Sequence, residues 1–491
     1  MSVHPLTATS RNHRLLAMGV GGAGLLGGAV GVSAVAVSPL APLGAFLGGA
    51  GLLAVLRSPL IAVLGFVVVA CLLPFAVIPV RLGVSLTLVD VALSSLLFVW
   101  IAQVLRRRRQ LISTPIDGVL ALFIGLALVS FIVGSGYSAI AGEQFRLFLK
   151  LINSMLFFYG VTQIVRTEED LTRVARVLLI AGGAAGGIAV LFYALPHDVT
   201  VRVLSSLRPL GYPTGEDVIR TIAGTSTVRA TGTSIDPNVL GGLLMLIAVP
   251  ASAYVISPAP ILKRSLLAVI LALLVLGIVL SYSRSSWLGL AAGIGFIAGF
   301  RNRRAWIFGA LAVGALAFLP QGQVLIDRFT SGIEARDQAA AMRLGEYKDA
   351  LALITQYPLV GVGFGEAPTI ELYVAVSSIY LLIAEEMGLV GLAVFLMAVG
   401  TALVHSFRGG SGASSELRTT TIALQGAIAA ALVAGLFDHY LFNLRFPHMV
   451  AMFWLMLALL LTSVRLGRAA TSGAPEGFVN NASENSLVRH L

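Results

Sequence analysis

The sequence has little charge: Asp, Glu, Lys and Arg make up 11% of 491 residues, against roughly 25% in soluble proteins. That shortage excludes a soluble globular chain. Cysteine is nearly absent too. Cys71 is the single one and lies inside an apolar run, which excludes an intrachain disulfide and argues against redox chemistry. The chain has no phosphate-binding loop, dinucleotide fingerprint, Cys/His metal spacing or nucleophile elbow, so neither a nucleotide-driven pump nor a metalloenzyme is expected. No metal and no cofactor are expected. Basic residues interleaved with aromatics are missing, and with them the footprint of a nucleic-acid partner. There is no internal repeat, no heptad pattern and no polar stretch large enough to fold as a separate soluble domain. Lysine is scarce beside arginine, a bias that a GC-rich genome would produce. The first apolar run is long, Gly/Ala-rich and followed directly by others, so no cleaved signal peptide is expected.

What is there is hydrophobic. Apolar residues are 57% of the chain and the mean hydropathy is +0.93. The runs approach the ~20 residues of a spanning helix and far exceed the ~10 alternating residues of a barrel strand. The pattern predicts an all-α, polytopic membrane helical bundle of about fourteen spans, near 14–36, 41–56, 59–79, 86–105, 117–137, 147–165, 173–195, 238–257, 265–282, 286–300, 305–319, 379–405, 419–437 and 447–464. Basic residues mark cytoplasmic loops. Arg106 to Arg109 follow the fourth span and set that end inside. Counting both ways from there, the inside loops carry Arg11 and Arg14, Arg57, Arg166, Lys263 and Arg264, Arg301 with Arg303 and Arg304, Arg408 and Arg418, and Arg465 and Arg468. The short outside loops are poor in charge: Ser38 to Ala41 has none and the next has only Arg81. Both termini are therefore expected in the cytoplasm. The chain divides into N-terminal membrane helices (1–195, about seven spans), an external loop (196–237), membrane helices (238–319), a large external loop (320–378), C-terminal membrane helices (379–465) and a disordered cytoplasmic tail (466–491).

The two long external loops break the charge rule. One carries Arg202, Arg208, Arg220 and Arg229, the other Arg328, Arg336 and Arg343. Orientation does not require these charges, and loops longer than roughly 12–15 residues are usually functional or disordered. Within the second loop, Tyr347, Ala350, Leu351 and Ile354 recur at helical spacing, which predicts an amphipathic helix over Met342 to Ile354.

Four segments on this outer side carry chemistry. The first, Arg229 to Asn238, ends in Asp236-Pro237-Asn238, which also reads plainly as a helix start. The second is Ser281 to Trp287 around Arg284; its plain alternative is an interfacial anchor with a belt tryptophan. The third runs from Arg343 through Tyr357-Pro-Leu-Val-Gly-Val-Gly-Phe-Gly365 to Ser377 and Gly391. Its glycines, Gly363 among them, allow tight turns and close approach of backbone to a ligand. Tyr380 follows, and Glu385 and Glu386 lie about 12 Å into the span at 1.5 Å per residue. An acid inside a membrane points to function, with a helix–helix ion pair as the alternative. The fourth, Asp438 to His448, offers an acid able to pair with an arginine and two histidines able to move a proton. Guanidinium groups are the preferred bidentate partners of phosphate oxygens, so arginines converging at the outer surface suggest a lipid-linked phosphate or pyrophosphate.

At these residues, over about 220–465, the chain resembles the O-antigen ligase / Wzy-type polymerase superfamily of bacterial envelope enzymes. The likeness rests on Arg-x-x-Gly-Thr-x-x-x-Pro-Asn at Arg229 to Asn238, Ser-Arg-x-x-Trp at Ser283 to Trp287, and Arg343 ahead of Pro-Leu-x-Gly-x-Gly-x-Gly. The resemblance implies a GT-C-like, inverting membrane glycosyltransferase of the bacterial inner membrane. Its donor would be an undecaprenyl-diphosphate-linked oligosaccharide, and membrane lipids, a chain-length regulator and a flippase would be its partners. Arg229 and Arg343 would hold the diphosphate and stabilise the charge of its departure, with Arg284, Asn238, Tyr380, Glu386 and Gly363 around the substrate. Ligases of this superfamily carry His, then Asn, Ser or Gln, then nine residues and Gly-x-x-Gly. Here the spacing stands at Ser378 and Gly388 to Gly391, but Ser377 occupies the histidine position. A serine is no general base, so Glu366, Glu371, Asp438 and His439 become candidates, or leaving-group activation is enough. The loss favours a polymerase of lipid-linked repeat units over a ligase to lipid A core or another acceptor. A flippase of lipid-linked sugars is the reading from another class; it predicts charges within many spans and paired broken helices, whereas here charge concentrates at one face.

Overall fold

The computed structural model of the chain describes residues 51, 54–78, 86–105, 111–137, 142–222, 225–300, 338–365, 376–408 and 414–472. The expected spans at 14–36 and 305–319, nearly all of 41–56, Arg81, Arg106 to Arg109, Arg328, Arg336, Glu366, Glu371 and most of the C-terminal tail lie outside the described residues. Within them the protein is helical, with sheet confined to one two-residue pairing. In chain order the helices are α1 (Leu60–Leu72), α2 (Leu88–Leu105), α3 (Asp117–Gly134), α4 (Gly142–Ile164), α5 (Glu168–Ala194), α6 (His197–Ser205), α7 (Pro237–Val255), α8 (Arg264–Leu280), α9 (Arg284–Phe300), α10 (Gln338–Gln356), α11 (Ile379–Phe407), α12 (Ser415–Ala434) and α13 (Pro447–Ser472). Among the described residues eight helices are long and apolar enough to cross a membrane, namely α2 to α5, α7 and α11 to α13, and α1 and α8 are shorter apolar helices. This is a multi-pass membrane protein.

The bundle is built around α7 and α13. Of their apolar stretches 89% is buried, against 28% for α2, whose remaining surface is left for lipid. α7 packs on α5, α8, α9 and α12, and α13 on α4, α11 and α12. Successive helix ends stay segregated. At one face Val77 N–H donates to Leu210 carbonyl (2.8 Å), Ala230 N–H to Leu280 carbonyl (2.8 Å) and Ile379 N–H to Gly435 carbonyl (2.9 Å). At the other, Ile112 N–H donates to Gln163 Oε1 (2.9 Å), Arg176 Nε to Ile261 carbonyl (2.9 Å), Arg465 to Val165 carbonyl (2.8 Å) and Thr172 hydroxyl to Glu416 (2.6 Å). The loops that the arginine count groups together therefore meet in space.

Both long loops contain structure. The first folds into α6, two 3-10 turns and a hairpin of β1 (Arg220–Thr221) with β2 (Val228–Arg229), in which Arg220 pairs with Arg229. The helix in the second extends beyond the predicted 342–354 to Gln338–Gln356.

α11 is broken two turns from its start. Gly388 has φ 71° and ψ 176°, a conformation essentially reserved to glycine. The break frees backbone groups that hydrocarbon cannot satisfy, at a cost of several kcal/mol each. The Pro358–Gly363 segment supplies the partners. Val362 and Gly363 N–H donate to the Glu385 and Glu386 carbonyls (2.9 and 3.0 Å), and Leu389 N–H donates to the Pro358 carbonyl (2.8 Å). Ser130 of α3 also donates its hydroxyl to the Glu386 carbonyl.

Candidate functional site

The site lies at the face where α7, α9, α11 and α13 begin and α8 and α12 end. At the start of α7 the Asp236 carboxylate accepts the Asn238 and Val239 N–H groups (2.7 and 3.0 Å), and Pro237 takes the first helical position, where a missing N–H costs nothing. Asn238 Oδ1 accepts from the Arg229 guanidinium (2.6 Å), whose Nε also donates to the Ser281 carbonyl (2.8 Å). The two ends of the Arg229–Asn238 motif are thus bonded to each other, and the motif is docked on the α8–α9 turn. Two non-glycine residues here have positive φ, Ile235 (62°) within the motif and Tyr282 (51°) in the turn it docks on. Such conformations cost on the order of 1–3 kcal/mol and persist where the surroundings over-determine them, often at functional sites.

The α8–α9 turn is a run of buried hydroxyls. Ser283 Oγ is 3.1 Å from Ser285 Oγ and 2.9 Å from Ser286 Oγ, and Ser285 donates to Asp438 Oδ2 (3.2 Å). Gly241 and Gly242 on α7 make room for it. A Cβ on Gly241 would lie 2.7 Å from Ser286 Oγ, and one on Gly242 would lie 2.3 Å from the Tyr440 ring. Asp438 is 4% exposed and also accepts the His439 N–H (2.9 Å). Burial pushes its carboxyl above the usual range, and Asp236 adds to the rise, against the opposing pull of His439 and Arg343. Arg343 of α10 approaches the same Oδ2 at 4.0 Å. Arg229 and Arg343 therefore stand at the two ends of one polar route through the serine turn and Asp438.

α10 presents one face to this corner. Residues three and four apart are neighbours on a helix, so Arg343, Glu346 and Tyr347 point the same way. The Glu346 carboxylate accepts both the Ser377 N–H (3.0 Å) and the Ser377 hydroxyl (2.7 Å). Tyr347 donates to the Ser377 carbonyl (3.1 Å) and lies 3.3 Å from the Leu436 carbonyl. Burial pushes the Tyr347 phenol up, so it stays a donor. Glu346 is the site residue that sequence reasoning missed; its one signal was its place a turn after Arg343.

The other expected site residues are placed as follows. Arg284 opens α9, half-buried between the buried Ser283 and Ser285. The Trp287 indole N–H donates to the Ile278 carbonyl (3.0 Å), and its ring packs with Ile222, Val279 and Tyr282. His439 keeps its ring half-buried, with Nδ1 3.7 Å from Asp438 Oδ1. Tyr380 donates its hydroxyl to the Leu432 carbonyl (2.7 Å), tying α11 to α12. In the structure the glycine motif makes its close approaches to protein backbone. A Cβ on Gly361 would lie 2.4 Å from the Glu385 carbonyl oxygen, and one on Gly363 2.6 Å from the Gly134 Cα. Glu386 is half-buried at the break, and its carbonyl is held by Gly363 and Ser130. Glu366 lies outside the described residues. Among the described residues no group of three or more His, Cys, Asp or Glu side chains is placed to hold a metal ion.

Residues 269–396 match the model of the Wzy_C family, described as O-antigen ligase. The match runs from α8 through the first half of α11, well under half of the chain, and contains Arg284, Arg343, Glu346, Ser377 and the broken helix. No curated protein matches the chain. The match supports an O-antigen ligase/polymerase-type, glycosyl-transferring function broadly, without separating polymerase from ligase.

Proposed function

We propose that this O-antigen ligase-type membrane protein polymerises oligosaccharide repeat units carried on a polyprenyl diphosphate at the outer face of the bacterial cytoplasmic membrane. The observation that carries the reading is the polar route from Arg229 through Ser281, Ser283 and Ser285 to Asp438 and Arg343. It holds two guanidinium groups at one membrane face. A guanidinium is a planar fork whose geometry matches phosphate oxygens. In the reaction an acceptor hydroxyl attacks the anomeric carbon from the side opposite the diphosphate, with inversion. Negative charge grows on the departing oxygen, and guanidinium groups already oriented by Asn238, Ser281 and Asp438 stabilise it without reorganising. Arg284 at the start of α9 and Asn238 at the start of α7 add polar groups at the same corner.

The outward orientation is supported by the basic residues Arg166, Lys263, Arg264, Arg408, Arg418, Arg465 and Arg468 at the opposite helix ends. Ser377 supports polymerase over ligase, because the superfamily's ligases carry a histidine there. The ligase reading keeps one observation in its favour, the description of the matched family.

The test is to incubate the purified protein with a synthetic undecaprenyl-diphosphate repeat unit and separate the products on a gel. A ladder of lengths supports polymerisation. Product only after a separate acceptor is added supports a ligase. Lipid crossing the bilayer with no new glycosidic bond overturns the enzyme reading.

A further inference from the structure

We infer that Glu346, acting through the Ser377 hydroxyl, takes up the proton of the attacking sugar hydroxyl. The inference rests on the glycosyl-transfer reading above and assigns the base that reading leaves open. Its ground is the pair itself: Ser377 Oγ donates to Glu346 Oε2 at 2.7 Å, and the Ser377 N–H donates to the same oxygen at 3.0 Å. A serine whose hydrogen is turned to a carboxylate keeps its lone pairs for an incoming donor. Tyr347 fixes the Ser377 carbonyl as well, so the residue is held at its N–H, its side chain and its C=O by one face of α10.

Placement favours this pair over the other acids. Asp438 is 4% exposed and already engaged by Ser285, Arg343 and the His439 N–H. Glu346 and Ser377 are only half-buried, so an acceptor can reach them. Glu346 also rides one turn from Arg343 on the same rigid helix, with Cβ atoms at this spacing about 5–6 Å apart. The proton acceptor and one diphosphate ligand are therefore fixed relative to each other by one helix.

The step balances. The acceptor oxygen forms a bond to the anomeric carbon as its O–H bond breaks. Ser377 receives that proton while passing its own to Glu346, which becomes a carboxylic acid. The bond from the anomeric carbon to the diphosphate oxygen breaks, and its electron pair leaves with the lipid diphosphate. Glu346 then returns the proton to water.

A purely docking role for Glu346 predicts different kinetics, so two variants are assayed beside the wild type with the synthetic lipid-diphosphate repeat unit. Glu346→Gln keeps a carbonyl to accept the Ser377 N–H but no base. It is expected to lower kcat by about 10²–10⁴-fold, leave the KM for the lipid donor unchanged, and abolish the acid limb of the kcat–pH profile. Ser377→Ala keeps the backbone contact and removes the relay, and is expected to lower kcat and alter the same limb. The double variant Glu346→Gln/Ser377→His places a titratable imidazole at the relay position and is expected to recover part of the rate. Wild-type kcat in Glu346→Gln, or a silent Ser377→Ala, overturns the inference, as does a parallel loss of kcat and donor binding with an unchanged pH profile. A wild-type ladder beside an unimpaired Glu346→Gln removes this inference alone. A wild type that forms no glycosidic bond removes the glycosyl-transfer reading and this one with it.

Discussion

Gly388→Ala tests whether the broken helix and the glycine loop form one structural unit. The backbone at Gly388 (φ 71°, ψ 176°) lies where an L side chain costs on the order of 1–3 kcal/mol. Space is refused as well, because the new Cβ would lie 2.2 Å from the Leu359 carbonyl oxygen. That atom is backbone and cannot swing aside, so the Pro358–Gly363 segment has to move. With it go the three hydrogen bonds Val362 to Glu385, Gly363 to Glu386 and Leu389 to Pro358. Each is worth roughly 0.5–1.5 kcal/mol net. With the backbone strain, the local cost is about 3–7 kcal/mol, comparable to the whole stability of a small domain. The control is Gly400→Ala in the same helix, where an added Cβ meets nothing within 4 Å. There alanine is worth up to ~1 kcal/mol through helix propensity. The assay is thermal unfolding in detergent by size-exclusion fluorescence, with limited proteolysis between α10 and α11 and the polymerisation assay alongside. Gly388→Ala is expected to cut the segment faster, lower the melting temperature and lose activity, while Gly400→Ala matches wild type or exceeds it. A Gly388→Ala protein with wild-type melting, cleavage and turnover would refute the reasoning.

Other expectations follow from the site. Arg343→Lys keeps the charge but loses the planar fork, and the initial rate of chain growth should fall about 10²–10³-fold, the usual cost of one transition-state donor; full polymerisation by this variant removes the diphosphate role. Asp438 has a folded pKa raised by burial, so the native state holds its proton more tightly than the unfolded chain. Its stabilising contribution is complete below about pH 4 and is lost as pH rises through the raised native value. Asp438→Asn should therefore flatten the decline in melting temperature as pH rises above about 4, and an unchanged slope contradicts that sign. Gly242→Ala drives a methyl to within 2.3 Å of the Tyr440 ring and should destabilise by about 1–3 kcal/mol, read from melting curves.

What was legible in the sequence depended on how local the signal is. Bundle and alternation were legible because each span and each basic loop declares itself within ~20 residues. The amphipathic helix was legible from Tyr347, Ala350 and Ile354, and Ala350 and Ile354 are indeed buried. Leu351, read into the same face, is 52% exposed, while Leu353 takes the inward place at 1%. A difference of two residues turns a helix by about 200° at 3.6 residues per turn, and spacing alone did not set the phase. Arg229 and Asn238 sit nine positions apart in one motif and bond to each other, so their proximity was already implied by the chain. Glu346 was not legible, because its partner Ser377 lies 31 positions away in the chain. In one dimension an acid one turn from an arginine reads as a solvated pair.

The glycines show the same limit from the other side. Gly361, Gly363 and Gly388 announce close approach, and nothing in the sequence says to what. The structure sets Gly361 against the Glu385–Glu386 backbone, Gly388 against the Leu359–Val360 backbone, and Gly363 against Ser130 and Gly134. The loop fills the break in α11 while Gly134 of α3 closes on Gly363. The glycine loop and the Gly388 break are thereby the two halves of one joint. That joint follows α10 by two residues, so it fixes where Arg343, Glu346 and Tyr347 fall against Asp438 and Ser377. Substitutions in the glycine loop should then mimic substitutions at Arg343 in their effect on rate while touching no substrate. Their distinguishing mark is a loss of melting temperature that Arg343→Lys lacks.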